Sequence, residues 1–130
     1  MTNQELIAMA KEVMTKAYAP YSHFQVGAAL LAKDGRVFTG CNVENATYGA
    51  TICAERTAVT KAVSEGVREF EKIAIVASSG DYAAPCGICR QVLFEFMPEG
   101  KVVLWSELEG EKEFALAELL PFGFRGEDIK

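Results

Sequence analysis

Histidine and basic residues are scarce in this 130-residue sequence. His23 is the single histidine, and this count excludes metal sites with two or more histidine ligands. Any nucleophilic triad that needs a histidine would have to use His23. Lysines and arginines number 13 against 18 acidic residues, for a net charge of −5. Because no basic block is available to neutralise phosphates, we expect no nucleic acid partner and no binding to a membrane surface.

Long apolar runs are also missing. The longest, such as residues 26–32, are far below the roughly 18 residues that would cross a bilayer. No basic patch precedes an apolar core at the N-terminus, so we expect no secretory signal and predict a cytoplasmic protein. In that compartment the four cysteines are poor disulfide candidates, and we interpret them first as metal-binding or catalytic residues.

The composition is that of a globular protein, since half of the residues are hydrophobic and 10% are aromatic. A chain of this length buries roughly two-thirds of its unfolded surface as one domain and is short for two. We therefore predict a single domain over residues 1–130. Its polar, glycine-rich tail, from about residue 122, is expected to be mobile.

The predicted elements alternate between helices and strands late in the chain. A capping box at Thr2 opens a first helix over residues 3–18, and Lys33-Asp34-Gly35 joins two strands in a hairpin. The other predicted elements are helices over 53–65, 86–97 and 113–120 and strands over 71–78 and 101–105. We interpret the acidic run from Glu107 to Glu113 as a solvated face. The order of the predicted helices and strands indicates an α/β fold, a three-layer α/β/α sandwich around one mixed sheet of about five strands.

Three cysteines stand at predicted helix starts. Cys53 begins one helix, and Cys86 and Cys89 begin the next with Cys-x-x-Cys spacing. Free N–H groups and the helix dipole at such ends favour thiolates. Three thiolates can form three corners of a zinc tetrahedron and leave the fourth to water, as in catalytic zinc sites. Glu55, two residues after Cys53, could take a proton from that water.

Other interpretations of these residues stay open at this point. Cys-x-x-Cys also occurs as a redox motif or as a pair of buried small residues. Cys41 could supply a fourth ligand and make the zinc structural, although its place in a strand favours a packing role. Glu55 could simply be a solvated acid that complements the helix dipole.

Several motifs together resemble one enzyme family. Cys53-Ala54-Glu55-Arg56, followed by Pro85-Cys86-x-x-Cys89, resembles the zinc signature of the cytidine deaminase family. Further similar segments are Tyr21-Ser22-x-Phe24-x-Val26-Gly27-Ala28-Ala29-Leu30, Gly40-Cys41-Asn42-Val43-Glu44-Asn45, Cys89-Arg90-Gln91 and Leu119-Leu120-Pro121. The similarity runs from about Leu6 to Phe124. Cysteine as the first ligand, with a single short domain, is similar to the homotetrameric branch of the family.

The resemblance implies a zinc-dependent hydrolase that deaminates cytidine and deoxycytidine to uridine and deoxyuridine and releases ammonia, in pyrimidine salvage. It implies one Zn²⁺ per subunit, with Glu55 as the catalytic residue that carries protons. The implied metal ligands are Cys53, Cys86 and Cys89. It also implies a homotetramer with sites at subunit interfaces, where Tyr48 and Phe124 reach the site of a neighbouring subunit.

The resemblance also implies how a nucleoside is bound. Asn42 and Glu44 contact the ribose 3′-hydroxyl, and strand alternation places them on the same face. Phe24 packs against the base, and the backbone of Ala54 holds the polar edge of the base. Pocket shape cannot be deduced from these residues, so a deaminase for a modified nucleoside or a cytosine-containing antibiotic stays open as an alternative.

Charge balance points to one further residue. Three thiolates and Zn²⁺ together have an excess of one negative charge, which a cation bonded to the thiolates would offset. The resemblance implies that Arg56 does this, and Arg90 is the reserve candidate. A structural zinc module with four protein ligands remains a non-catalytic alternative. An editing enzyme for DNA or RNA conflicts with the missing basic groove.

Overall fold

The computed structural model describes residues 1–129 and contains a mixed set of helices and strands. Its helices are α1 (Asn3–Met14), α2 (Ala54–Ser64), α3 (Gly87–Phe96) and α4 (Leu116–Leu119). Its strands are β1 (Val26–Ala32), β2 (Val37–Cys41), β3 (Phe70–Ala77), β4 (Lys101–Ser106) and β5 (Gly110–Ala115). Short 3-10 turns cover Tyr48–Ala50 and Gly126–Ile129. Across residues 1–129, no helix combines the length and apolar character needed to cross a bilayer.

The strands form one five-stranded sheet in the order β2-β1-β3-β4-β5. β1 pairs antiparallel with both β2 and β3, and β4 pairs antiparallel with β5. β3 and β4 are parallel, and α3 connects them. The carboxyl ends of these two parallel strands lie at the same edge of the sheet, and the loop after β3 leads from that edge to α3.

Both faces of the sheet are covered. Alternate residues of β1 face opposite sides, because Ala28 and Leu30 pack with α2, α3 and α4, whereas Ala29 and Leu31 pack against α1. β3 and β4 have the same alternation and are buried on both faces. The predicted three-layer α/β/α sandwich around a mixed sheet is thereby confirmed.

The segment between β4 and α4 differs from its prediction. Residues 113–120 were expected to be helical, but β5 occupies Gly110–Ala115 and the helix is confined to Leu116–Leu119. The acidic run is therefore part of an edge strand as well as a solvated face, with Glu113 opposite Val103. Charged side chains lie on both faces of this strand, so the sequence lacks the alternation of apolar and polar residues that identifies a strand. Such charges are typical of edge strands.

The first helix is shorter than its prediction, which extended to residue 18. It ends at Met14, and the Thr15 hydroxyl donates a hydrogen bond to the Glu12 carbonyl. Tyr18 instead pairs with the chain beyond β2, since its N–H donates to the Asn42 carbonyl at 3.0 Å. The C-terminal tail has contacts with α3, through a 2.8 Å hydrogen bond from Gln91 Nε2 to the Phe124 carbonyl. Lys130, the last residue of that tail, lies outside the described residues.

Gly40 allows the start of α2 to lie directly against β2. A Cβ atom at this position would be 2.5 Å from both the Ala54 carbonyl oxygen and the Ala58 nitrogen. Real Cβ atoms do not approach backbone so closely, so any larger residue would displace the helix. The glycine thus determines where the first turn of α2, which carries Cys53 and Glu55, lies relative to the sheet.

Candidate active site

Three cysteine sulfurs converge where α2 and α3 begin. Cys53 and Cys86 are the N-cap residues of the two helices, and Cys89 lies in the first turn of α3. Their Sγ atoms all lie within 4.8 Å of one another. Helix N-termini carry partial positive charge, which stabilises thiolates at this point. The structure therefore brings together the three residues that the sequence predicted as metal ligands.

The spacing of the sulfurs fits a zinc ion. With Zn–S bonds of about 2.3 Å, the sulfurs of a tetrahedral site are about 3.8 Å apart. Each distance between two of the observed sulfurs therefore needs to shorten by at most about 1 Å when zinc binds. Among the residues that the structure describes, Cys41 is not a member of the group. Three protein ligands are the number found in catalytic zinc sites, whereas structural sites have four.

Glu55 is a buried carboxylic acid beside the sulfurs. It lies in the first turn of α2 with 5% of its surface exposed. Burial raises the pKa of its carboxyl to about 7, and the charge of Cys53 adds to the effect. A buried acid with a raised pKa beside a group of converging cysteines is typical of functional sites.

The sulfurs also perturb one another. A hydrogen bond from Cys89 lowers the pKa of Cys53 to about 5, with a further contribution from Arg56. The same contact raises the pKa of Cys89, whose thiol is the donor. The helix terminus and the arginine thus both favour negative charge on Cys53.

The two arginine candidates have different surroundings. Arg56 Nη2 lies 3.4 Å from Cys53 Sγ and 3.5 Å from the Thr51 carbonyl oxygen. Arg90 instead donates to two backbone carbonyls, from Nε to Pro85 at 2.7 Å and from Nη1 to Leu119 at 2.8 Å. Of the two, therefore, Arg56 is placed to offset thiolate charge. Arg90 instead links the residue before Cys86 to the end of α4 through hydrogen bonds.

Asn42 and Glu44 both face the segment that precedes β1. The Asn42 side chain accepts from the Val26 N–H at 2.9 Å and donates to the Phe24 carbonyl at 2.8 Å. Glu44 Oε1 accepts from the N–H groups of Tyr21 and Ser22, at 3.0 and 3.1 Å. β2 ends at Cys41, before both residues, so these hydrogen bonds, rather than strand alternation, direct both side chains towards the segment that precedes β1.

A pocket of about 220 Å³ opens beside Glu55. Its lining contains six residues that the sequence predicted, namely Phe24, Asn42, Cys53, Ala54, Glu55 and Cys86. Neither lysine nor arginine belongs to this lining within residues 1–129. The arrangement is a small, largely apolar pocket whose lining includes a carboxylic acid and two of the three converging cysteines. It can enclose a flat, uncharged ring and expose one edge of that ring to proton transfer.

Comparison with known proteins agrees with this geometry. Residues 1–105 match the family model described as the cytidine and deoxycytidylate deaminase zinc-binding region. The chain belongs to the cytidine and deoxycytidylate deaminase family. It is 49% identical to a cytidine deaminase of Sporosarcina psychrophila, over 99% of this chain and 96% of that one. It is 51% identical to a cytidine deaminase of Halalkalibacterium halodurans, over 99% and 98% of the two chains.

The fold of this deaminase family member matches a solved structure. A crystal structure of cytidine deaminase from Burkholderia pseudomallei superposes with a TM-score of 0.90 and has 49% sequence identity. The match covers 95% of this chain and 100% of the other. The resemblance predicted from the sequence motifs is therefore confirmed.

Three substrate-binding residues that the family resemblance suggests do not belong to this lining within residues 1–129, namely Glu44, Tyr48 and Phe124. Glu44 is bonded to the turn before β1. Tyr48 is 74% exposed and contacts Tyr21 edge-to-face at 5.9 Å, and Phe124 is 57% exposed. Other lining residues were not predicted from the sequence, namely Val26, Thr51, Ile52, Ile75, Ala83 and Ala84. Four of these are loop residues without a recognisable motif, and no sequence signal identified them. Val26 and Ile75 were expected only as strand residues.

Proposed function

We propose that this protein is a zinc-dependent cytidine deaminase that hydrolyses cytidine and deoxycytidine to uridine and deoxyuridine and releases ammonia. The observation that carries the proposal is the buried carboxyl of Glu55 beside three converging cysteines in the lining of an apolar pocket. The two relatives compared above are cytidine deaminases, which supports the same reaction. The proposal includes one catalytic domain that spans the chain.

Each residue of the site has a task in this reaction. Cys53, Cys86 and Cys89 would hold zinc, which when bound supplies a Lewis acid that lowers the pKa of water to about 7. Glu55 takes a proton from the attacking water and delivers it to N3 of the pyrimidine while oxygen bonds to C4. Glu55 then carries the remaining hydroxyl proton to the amine, the C4–N bond breaks, and ammonia leaves. Arg56 lies against Cys53 and offsets the excess thiolate charge.

The other residues recognise the substrate in this proposal. Phe24 packs against the base, and the backbone of Ala54 bonds to its polar edge. Asn42 and Glu44 bind the ribose 3′-hydroxyl, because a carboxylate accepts hydroxyl donors well. The lack of lysine and arginine in the lining, among residues 1–129, supports nucleosides rather than nucleotides, since a phosphate would have no cationic partner there.

We further propose that four copies assemble and share their sites. One chain provides about 220 Å³, which is less than the roughly 300–1,000 Å³ of most ligand pockets. The rings of Tyr48 and Tyr21 are both exposed and contact each other, and Phe124 is exposed as well. Adjoining exposed apolar groups support a partner contact, because they are typical of interaction surfaces. The four cysteines are free of disulfides, which supports a reducing, cytoplasmic location and a role in pyrimidine salvage.

The loss of ultraviolet absorbance by cytidine and deoxycytidine tests the proposed reaction. Wild-type protein, metal-stripped protein and the Glu55→Gln variant are assayed side by side, with zinc content measured for each. We expect turnover by the wild type only, and recovery of the stripped protein when zinc is restored. Fully zinc-loaded wild type that leaves both nucleosides intact would contradict the proposal, and a panel of modified nucleosides would then test the alternative substrates.

A further inference from the structure

The chain between α1 and β1 makes a tight turn at Ser22, His23 and Phe24. His23 has a φ of 59°, which is unusual for a residue other than glycine. This conformation brings the Phe24 N–H to 3.0 Å from Ser22 Oγ, which accepts its hydrogen bond. Side-chain bonds of this kind stabilise turns of serine residues. The turn therefore makes the backbone position of Phe24 dependent on the serine hydroxyl.

The same hydroxyl donates its proton to Glu44. Ser22 Oγ bonds to Glu44 Oε2, while the N–H groups of Tyr21 and Ser22 occupy Oε1. These contacts, the Ser22 hydroxyl first, lower the pKa of the Glu44 carboxyl, so it remains an ionised acceptor. A carboxylate offers about four acceptor positions, and three are filled. One position is left for a hydroxyl donor of a ligand.

Phe24 is held from its other side by Asn42. Its carbonyl accepts from Asn42 Nδ2 at 2.8 Å. A continuous series of hydrogen bonds thus joins Glu44, Ser22, Phe24 and Asn42. Phe24 and Asn42 line the pocket, whereas Ser22 and Glu44 do not belong to the lining among the residues described, and Ser22 is exposed to solvent.

We propose that Ser22 is a positioning residue, which joins the carboxylate that binds the sugar to the aromatic ring that packs on the base. The inference rests on the proposed function, because it assigns the remaining acceptor position of Glu44 to the 3′-hydroxyl of a nucleoside. Ser22 acts through Glu44 and Phe24 and has no contact with the reacting atoms. A substrate with a 3′-hydroxyl depends on both Glu44 and Phe24, whereas one without it depends on Phe24 alone. Loss of Ser22 therefore affects the substrate with a 3′-hydroxyl more.

The test compares Ser22→Ala on cytidine and on 3′-deoxycytidine. We expect the loss of kcat/KM on cytidine to exceed the loss on 3′-deoxycytidine by about tenfold or more, as for a hydrogen bond to a charged group. Ser22→Thr retains the hydroxyl at an exposed position and should restore the wild-type values. Ser78→Ala is the matched control, because Ser78 Oγ accepts from the Gln25 N–H at 3.0 Å but has no bond to Glu44.

A second readout separates this inference from the proposed function. Calorimetric binding of uridine and 3′-deoxyuridine to the zinc-loaded protein should show the same selective loss in Ser22→Ala. The role of Ser22 would be overturned if Ser22→Ala lost affinity for both ligands equally or lost none. It would also be overturned if Ser22→Thr failed to restore the affinity. If the wild type does not deaminate cytidine, the proposed reaction fails, while the binding comparison still decides whether Ser22 positions Glu44.

Discussion

Gly40→Ala tests how the sheet positions the first turn of α2. The added methyl group would lie 2.5 Å from two backbone atoms, the Ala54 oxygen and the Ala58 nitrogen, and 3.0 Å from Thr57 Cβ. Backbone cannot move aside as a flexible side chain would, so either the helix shifts away from β2 or the strand bends. A shift of the helix would displace Cys53 and Glu55 from Cys86 and Cys89.

The cost can be estimated from known packing energies. Overpacking of a closed core contact typically destabilises a protein by about 1–3 kcal/mol. With an unfolding entropy of about 2.1 cal/mol/K per residue, this corresponds to a fall in melting temperature of about 4–11 °C for a chain of this length. Displacement of Cys53 should also weaken zinc retention and lower kcat. Three measurements test this: the melting temperature by circular dichroism at a fixed protein concentration, the zinc content of the purified protein, and the turnover rate.

Gly49→Ala is the matched control, because it adds the same methyl group where nothing lies within 4 Å. We expect it to melt near the wild-type temperature and to retain zinc. If Gly40→Ala also melts near the wild-type temperature with full zinc content and activity, the close contact between β2 and α2 does not position the site, and this reasoning is refuted.

Two arginines give further predictions. Arg56→Ala should retain the fold but lower kcat by about 10- to 100-fold with little change in KM, since a charged hydrogen bond to Cys53 is removed. Arg36→Ala, at an exposed ion pair with Asp34, is the control, and an unchanged kcat in Arg56→Ala would exclude Arg56 from the mechanism. Arg90→Ala leaves the Pro85 and Leu119 carbonyls without their donor and should cost about 1–3 kcal/mol of stability and speed zinc loss to a chelator. Equal melting temperatures and zinc release rates for this variant and the wild type would show that the two contacts contribute nothing.

The sequence was most informative where local signals coincide with tertiary structure. Cys53, Cys86 and Cys89 were predictable because cysteines at helix starts form a short-range pattern and because the fold happens to bring those starts together. The buried strands were predictable from uninterrupted apolar runs. β5 was not predicted as a strand because its charged residues conceal the alternation, and only pairing with β4 makes it a strand.

The remaining parts of the site depend on contacts between distant segments. The bond of Ser22 to Glu44 joins residues that are 22 positions apart, and no local pattern specifies it. Asn42 and Glu44 were selected by resemblance and strand alternation, but their orientation comes from the turn before β1. Thr51 and Ala83 line the pocket from loops whose course only the folded chain determines.

The account depends most directly on how many sulfurs bind the metal. X-ray absorption at the zinc edge of the loaded protein should show three sulfurs at about 2.3 Å and one lighter atom at about 2.0 Å. The Cys41→Ser variant should give the same spectrum, because Cys41 lies outside the three-cysteine group among residues 1–129. A fourth sulfur in the wild type, lost in Cys41→Ser, would mean a closed structural site and would contradict the proposed hydrolysis.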